Sequence, residues 1–369
     1  MENLFGIKKN FGFGCMRLPM IGEEVDIEQT KVMVDKFLEA GFNYFDTAHG
    51  YIQGKSELAV KECLTKRYPR ESYMLTNKLT GTYFNSEEDI RPLLESQLEA
   101  CGVEYFDFYL MHAQNATNFE KFKACRAYET AFELKKEGKV KHVGFSFHDS
   151  AEVLDKIIST YPEIEAVQIQ FNYLDYEDAT VESRKCYEVC RKHGKPIIVM
   201  EPVKGGSLVN LPEEAKPYFD SLGDASYASY ALRYAAGFDG MMMTLSGMSD
   251  IAQMDDNIKT MKDFKRLDEK ELAAIEKVKD VIRSKELVKC TACRYCTDGC
   301  PKNIAIPDLF SALNSKIIGS PNAFDEYERF TNGKGKASDC IKCGKCEQVC
   351  PQKLRIRRIL KNVSAEFDK

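Results

Sequence analysis

Short apolar runs alternate with amphipathic stretches along the first two thirds of the chain, from Phe11 to about Ser246. Eight of the apolar runs are strand-like: FGFGCMRL, FNYFDTA, YMLTNKL, FDFYLMH, KHVGFSF, AVQIQFN, PIIVMEP and MMMTLSG. Five of the intervening stretches are helix-like: Glu28–Ala40, Ser56–Tyr68, Glu87–Cys101, Phe119–Gly138 and Glu182–His193. Four of these stretches close on a glycine, which is typical of helix C-termini: Gly41, Gly102, Gly138 and Gly194.

This alternation of strands and helices predicts an α/β fold, the (β/α)8 or TIM barrel. The alternative is a doubly wound open sheet. The first strand argues against it, because its glycines form only G-x-G and lead into no nearby helix, unlike a dinucleotide-binding turn.

The composition changes to Cys, Lys and Pro from Lys289 onward, after a charged and helix-like stretch at residues 248–288. We expect this stretch to cover the barrel and to lead into a second domain. The chain is therefore predicted to hold a barrel domain at residues 1–284 and a small C-terminal domain at residues 285–369.

Composition narrows the class of protein. The 369 residues are 44% apolar, which is enough to bury the core of one large domain and one small one. The net charge of -5 gives no general reason to expect nucleic acid. No segment approaches the roughly 18–20 apolar residues of a membrane span, and no apolar secretory core follows the N-terminus. We therefore expect a cytoplasmic location, away from membranes.

Eight of the 14 cysteines lie between Cys290 and Cys350, in a motif that occurs twice. The spacing Cys-x2-Cys-x2-Cys-x3-Cys-Pro is typical of bacterial ferredoxins, where the cysteine before proline serves the other [4Fe–4S] cluster. Zinc sites are the alternative, but they use paired Cys-x2-Cys units. Residues 286–358 thus resemble the two-cluster ferredoxins. Two ligand sets are predicted: Cys290, Cys293, Cys296 and Cys350 for one cluster, and Cys340, Cys343, Cys346 and Cys300 for the other.

Two clusters in one domain can pass single electrons in sequence, although a purely structural role stays open. The basic segment KLRIRRILK follows the second motif. It has two interpretations: a helix packed on the cluster domain with its charged side in solvent, or a docking surface for an acidic electron carrier.

Four side chains suited to catalysis fall at or just beyond predicted strand ends. Asp46 ends the second strand in FDTAHGY, with Tyr51 in the loop beyond, and Lys78 and His112 end the third and fourth strands. Because barrel active sites are built at the C-terminal ends of the strands, we expect these four residues to meet at that rim. His49 is a secondary candidate there.

The order and spacing of these four residues resemble the catalytic tetrad of the aldo-keto reductases, over roughly residues 5–260. The resemblance implies reduction of a carbonyl, which needs a hydride on carbon and a proton on oxygen. The tyrosine hydroxyl has a pKa of about 10, and the ammonium of Lys78 would lower it by favouring the phenolate. Asp46 would orient Lys78 and keep it charged, and His112 would hydrogen-bond the carbonyl oxygen or assist proton transfer.

The same resemblance implies a nicotinamide dinucleotide, NAD(H) or NADP(H), across the barrel mouth. It implies nine contact positions: Ser146, Gln168, Met200, Gly205, Gly206, Ser246, Gly247, Asp256 and Asn257. The chain departs from the family pattern where Phe147 replaces an asparagine and Met200 replaces an aromatic residue. The basic residues for an adenosine 2′-phosphate are missing after the eighth strand, which favours NAD(H). A flavin is the alternative two-electron cofactor.

Two further residues are expected near the rim, His148 and Arg17. Arg17 meets either an acidic group of the substrate or a structural ion-pair partner.

As a whole, the chain resembles the iron–sulfur-containing branch of the aldo-keto reductases. The expected activity is reversible reduction of a carbonyl or related substrate, with two [4Fe–4S] clusters that exchange electrons with ferredoxin or a similar carrier. Two alternatives stay open: an ordinary NAD(P)H-dependent carbonyl reductase with structural clusters, and a non-catalytic electron-transfer subunit.

Overall fold

The eight predicted strand-like runs all form strands, and these strands close into one parallel barrel. The computed structural model describes residues 4–368. The strands are β1 (Phe11–Gly14), β2 (Tyr44–Asp46), β3 (Met74–Leu79), β4 (Phe106–Gln114), β5 (Val140–Phe147), β6 (Ala166–Gln170), β7 (Ile197–Met200) and β8 (Met241–Gly247). Each strand pairs with its sequence neighbours, and β1 pairs with β8. The barrel is therefore confirmed, and the open sheet is excluded.

Helices connect the strands and continue through the C-terminal region. They are α1 (Ile27–Glu39), α2 (Lys55–Val60), α3 (Ile90–Cys101), α4 (Ala116–Ala124), α5 (Ala127–Lys136), α6 (Ala151–Thr160), α7 (Ser183–Lys192), α8 (Lys216–Asp220), α9 (Tyr227–Ala236), α10 (Ile251–Lys262), α11 (Glu269–Ser284), α12 (Tyr295–Asp298), α13 (Ile306–Ile317), α14 (Ala323–Thr331), α15 (Lys345–Gln348) and α16 (Ile356–Phe367). Among residues 4–368, no helix is long and apolar enough to cross a membrane.

The single helix predicted for Phe119–Gly138 is wrong, because the chain breaks between α4 and α5. Arg126 adopts a left-handed conformation with φ 50°. Neither glycine nor proline marks the break. Instead, tertiary contacts accompany it: the guanidinium of Arg126 pairs with Glu87 at 3.0 Å, and Cys125 Sγ lies 3.3 Å from the carbonyl oxygen of Asn85.

The interior of the barrel is filled with side chains, so chemistry is confined to its rim. Large apolar residues from several strands pack together there without solvent exposure, among them Tyr44, Phe108, Leu110 and Met243. Such layers are typical of (β/α)8 barrels, where substrates bind at the C-terminal ends of the strands.

The chain divides into two compact units. Of the described residues, one unit contains 4–202 and 228–267, and the other contains 203–227 and 268–368. This grouping departs from a single boundary after residue 284, because α11 packs against α8 and Lys285 Nζ lies 2.5 Å from Glu214 Oε1. The segment that follows β7 is thus part of the cysteine-rich unit by its contacts.

The second unit has its own apolar core. Leu309 and Phe310 of α13 are buried there with Ile356, Leu360 and Val363 of α16. Six of the eight motif cysteines belong to this core or pack against it: Cys290, Cys296, Cys300, Cys340, Cys346 and Cys350. The basic tail is therefore a helix with one apolar face inside the unit and a charged face outside, as the first of its two interpretations predicts.

Candidate functional site

The four predicted catalytic residues lie at one rim of the barrel. Asp46 is the last residue of β2, and Tyr51 begins the short helical turn that follows it. Lys78 lies near the end of β3, and His112 lies near the end of β4. Because β2, β3 and β4 are adjacent and parallel, their C-terminal ends are neighbours, and the four side chains come from one sector of the rim.

Lys78 and Asp46 form a buried ion pair. Lys78 Nζ donates to Asp46 Oδ1 at 2.5 Å and to the carbonyl oxygen of Thr47 at 2.8 Å. The Lys78 side chain has no solvent exposure. Burial lowers the pKa of Lys78 and raises the pKa of Asp46, while the opposite charges of the pair resist both shifts. Asp46 thus opposes the neutralisation of the ammonium that burial favours.

Tyr51 lies over this ion pair. Lys78 Nζ is 4.7 Å from the centre of the Tyr51 ring, and the ring is 9% exposed. The imidazole of His112 meets the tyrosine ring edge-on, with 6.0 Å between ring centres. The structure therefore brings together the phenol, the ammonium, the carboxylate and the imidazole that the sequence predicts would meet.

His112 is held as a neutral imidazole. Burial lowers its pKa well below the ordinary value, and the nearby charge of Lys78 adds to the shift. Thr80 Oγ1 lies 2.7 Å from His112 Nδ1 and fixes the orientation of the ring. A neutral imidazole at this place can share a hydrogen bond with a substrate oxygen without bringing a second cation beside Lys78.

The neutral state of His112 predicts a specific dependence of stability on pH. The unfolded histidine takes up its proton near pH 6.5, whereas the folded one does so only at lower pH. Neutral His112 therefore contributes its full stabilisation of the folded state above about pH 6.5. As the pH falls below that value, the free energy of unfolding decreases by about 1.4 kcal/mol per pH unit for this one proton. We expect the thermal midpoint of His112→Gln to fall less between pH 7.5 and 5.5 than that of the unmodified protein. Parallel pH profiles for the two proteins would contradict a neutral buried His112.

A buried network supports Lys78 from behind. Asn77 Oδ1 accepts from the backbone N–H of Lys78 at 2.8 Å, and Asn77 Nδ2 donates to Glu57 Oε1 at 2.8 Å. Gln97 Nε2 donates to the carbonyl oxygen of Lys78 at 3.0 Å. The other carboxylate oxygen of Glu57 lies 2.8 Å from His49 Nδ1, so His49 contacts this supporting network. Glu57 belongs to α2 and Gln97 to α3, so two helices outside the barrel hold the end of β3.

Two of the predicted dinucleotide contacts, Ser146 and Gln168, are brought together by neighbouring strands of the barrel. Ser146 on β5 and Gln168 on β6 are register partners, and both side chains are buried. Gln168 Nε2 lies 3.4 Å from Asp46 Oδ2, and Ser146 Oγ accepts from the backbone N–H of Ala113 at 2.8 Å. The hydroxyl of Ser146 and the amide of Gln168, on adjacent strands, form a donor–acceptor set that suits a carboxamide, so these residues fit a nicotinamide.

Some of the predicted contacts at the end of β8 and on the following helix hold that strand end in place. Asn257 Nδ2 donates to Ser246 Oγ at 3.0 Å, and both residues are buried. Gly247 lies against Arg17, since a Cβ at Gly247 would be 3.3 Å from the Cβ of Arg17. Asp256 lies on the same helix as Asn257, α10. Contact of these residues with a dinucleotide stays a prediction.

Arg17 is engaged in an ion pair. Its Nη2 lies 3.2 Å from Glu201 Oε1, directly after Met200 at the end of β7. Of the two interpretations of Arg17, the structural ion pair is therefore the one observed. His148 follows β5, and burial lowers its pKa to about 4.

Gly205 has a packing role that the sequence does not reveal. A Cβ on Gly205 would lie 2.3 Å from the carbonyl oxygen of Thr291, and the residue has φ 61°. Only glycine fits this approach and this backbone conformation. Gly205 and its neighbour Gly206 thus lie in a turn beside the first cysteine motif, and a role for them in holding a pyrophosphate stays a prediction.

The eight motif cysteines line two cavities in the predicted combination. The first, of about 320 Å³ including the solvent at its mouth, has four cysteines in its wall: Cys290, Cys293, Cys296 and Cys350. The second, of about 340 Å³ on the same measure, has the other four: Cys300, Cys340, Cys343 and Cys346. Four thiols around each cavity are the donor set of a [4Fe–4S] cluster, and each set takes one cysteine from the other motif.

Known protein families match both the barrel region and the cysteine-rich region of the chain. The aldo/keto reductase family matches residues 10–280, and a 4Fe-4S dicluster domain matches residues 289–355. The chain belongs to the aldo/keto reductase family. It is therefore an oxidoreductase of that type that carries an iron–sulfur domain.

Individual relatives are distant. An NADH-specific methylglyoxal reductase of Escherichia coli (strain K12) is 28% identical over 198 residues, which are 48% of this chain and 58% of that protein. An aldo-keto reductase of Gibberella moniliformis is 29% identical over 168 residues, 44% of this chain and 49% of that protein. The chain thus spans about half the length of these curated relatives.

Solved structures share the barrel. The holo form of an aldo-keto reductase from Bacillus halodurans is 26% identical, with a TM-score of 0.60 over 73% of this chain and 91% of that one. An aldo-keto reductase of Klebsiella pneumoniae, solved in complex with NADPH, is 16% identical with a TM-score of 0.59 over 73% of this chain and 90% of that one. The second likeness concerns the fold alone.

Proposed function

We propose that the barrel reversibly reduces a carbonyl or related substrate at its rim, and that two [4Fe–4S] clusters exchange electrons with a one-electron carrier such as ferredoxin. The observation that carries the proposal is the buried Lys78–Asp46 pair beneath the Tyr51 ring. Carbonyl reduction adds two electrons and two protons in total, as a hydride on carbon and a proton on oxygen.

The residues of the rim handle the proton. The positive charge of Lys78, 4.7 Å from the centre of the Tyr51 ring, would stabilise the phenolate that remains when the phenol gives its proton to the substrate oxygen. Asp46 keeps Lys78 charged against the cost of burial. His112, neutral and oriented by Thr80, hydrogen-bonds the same oxygen and thereby places the carbonyl.

Ser146 and Gln168 fit the nicotinamide end of a dinucleotide, because they would hold its carboxamide. When bound, NAD(H) or NADP(H) supplies or accepts the hydride. The two cysteine sets would hold two clusters, and because each would carry one electron, the pair would provide or take up the two electrons of one carbonyl reduction. A flavin stays an alternative to the nicotinamide, with no residue that specifically favours it.

Methylglyoxal is the first substrate to test, because one relative is named for its reduction. Anaerobic protein with full iron and sulfide should lose visible cluster absorbance on mixing with NADH, and it should consume methylglyoxal when supplied with NADH or reduced ferredoxin. Turnover with NADH, without bleaching and without ferredoxin-driven turnover, would favour structural clusters in an ordinary reductase. Cluster reduction by ferredoxin without turnover of any carbonyl would favour the electron-transfer subunit.

A further inference from the structure

The two cysteine-lined cavities differ in their exposure to solvent. Cys343, in the wall of the second cavity, is exposed, whereas Cys296 of the first is buried with 8% exposure. Ile341 also lines the second cavity and is 57% exposed. An exposed thiolate ligand places the edge of its cluster near the protein surface, and electron tunnelling weakens steeply with distance.

The cavities also differ in charge. Four cationic residues line the second cavity: Lys302, Lys342, Lys345 and Arg357. Arg357 pairs with Glu347 at 2.7 Å, but Lys302, Lys342 and Lys345 form no ion pair within residues 4–368. The first cavity has one cationic residue, Arg294, and its guanidinium pairs with Asp308 at 2.6 Å.

The sequence around each cavity repeats this contrast. Residues 334–361 contain nine basic and two acidic side chains, whereas residues 286–330 contain five basic and six acidic ones. The positive surface is local, because the whole chain has a net charge of -5. A local field of this kind steers an oppositely charged partner towards one face.

We propose that this face, defined by Ile341, Lys342, Cys343 and Lys345, is the docking surface for an acidic one-electron carrier protein. It follows that the cluster held by Cys300, Cys340, Cys343 and Cys346 is the one that exchanges electrons with the carrier. One electron leaves the reduced carrier and enters this cluster, so the carrier is oxidised and the cluster reduced by one electron each. An exposed apolar side chain within a rim of charges is the usual form of a transient protein interface.

This inference rests on the proposed electron exchange. It adds the surface at which the exchange takes place and the charge of the carrier protein. It is tested on the intact, anaerobic protein with a small acidic [2Fe–2S] ferredoxin, reduced and freed of reductant, because the visible bands of this carrier differ from those of a [4Fe–4S] cluster. The readout is the second-order rate of cluster bleaching, with no carbonyl present. Failure of carbonyl turnover would leave this readout unaffected, so the two proposals fail separately.

Charge reversal at the face should slow the ferredoxin reaction. We expect Lys342→Glu/Lys345→Glu to lower its rate at least tenfold at low salt, since electrostatic steering changes association rates by about 10- to 1,000-fold. The reduced methyl viologen radical, a small cation that needs no docking, should still bleach the clusters. Lys270→Glu/Lys277→Glu on α11 makes the same change of net charge at exposed positions and should retain the ferredoxin rate.

Salt gives a test that needs no substitution. The screening length falls from about 30 Å at 0.01 M salt to about 10 Å at 0.1 M, so the ferredoxin rate of the unmodified protein should fall across this range. A rate independent of salt would overturn the proposal even if the double variant lost its clusters. So would equal slowing by both double variants, which would reflect net charge alone.

Discussion

Replacement of Tyr51 by phenylalanine should abolish most carbonyl reduction while leaving the protein folded and its clusters intact. The phenol is the proton donor in the proposed reaction, and a positioned acid or base contributes roughly 100- to 10,000-fold to rate. The ring would remain over Lys78, so its contact with the ammonium at 4.7 Å from the ring centre is kept. The measurement is kcat/KM for methylglyoxal together with iron and sulfide content.

The matched control is Tyr83→Phe. Tyr83 stands beside His49, with 4.6 Å between ring centres, and is 46% exposed. It loses the same hydroxyl without touching the ion pair, and its activity should stay within about twofold. Full activity of Tyr51→Phe on every carbonyl tested would remove the tetrad from the reaction and favour an electron-transfer role.

Replacement of Lys78 by methionine should give the largest loss of stability. It would leave the Asp46 carboxylate buried without its counter-charge, and breaking a buried pair in this way costs about 3–5 kcal/mol. For a domain of this size such a loss lowers the thermal midpoint by roughly 6–20 °C. Far-UV circular dichroism of the barrel helices gives the measurement, and carbonyl reduction should be lost as well.

The double variant Asp46→Asn/Lys78→Met is the internal control. It removes the charge from both positions and keeps an amide beside Gln168, so its midpoint should recover much of the loss. If the single and double variants unfolded at the same temperature, the uncompensated carboxylate could not be the cause. The loss would then come from packing of the lysine side chain.

The barrel and its rim residues could be predicted because their signals are local. Each strand is a short apolar run, and Asp46, Lys78 and His112 each fall at the end of one. Parallel strands put such ends on one rim, so position along the chain was enough. The spacing of each motif predicts which three thiols share a loop, and the resemblance to two-cluster ferredoxins assigns the fourth thiol to the other motif.

The supporting residues could not be predicted in the same way. Glu57 and Gln97 reach Asn77 and Lys78 across about twenty residues of sequence, from helices whose rotation about their axes the pattern leaves undefined. Gly205, one of the predicted dinucleotide contacts, also packs closely on Thr291, more than eighty residues later, and no local pattern indicates this contact. The break at Arg126 could not be predicted either, because it is accompanied by tertiary contacts and no glycine or proline marks it in the sequence.

The exchange of one cysteine between the two motifs has a consequence for how the holoprotein matures. Cys300 lines the cavity of the later motif, and Cys350 lines that of the earlier one. The site of the earlier motif therefore lacks its fourth thiol until translation passes Cys350, when the whole barrel sequence has already been synthesised. The ligand set of the later motif is complete four residues sooner, at Cys346, so the site that begins first along the chain is the last to gain its fourth thiol. A chain that stops between the motifs holds three thiols of the earlier site and only Cys300 of the later one.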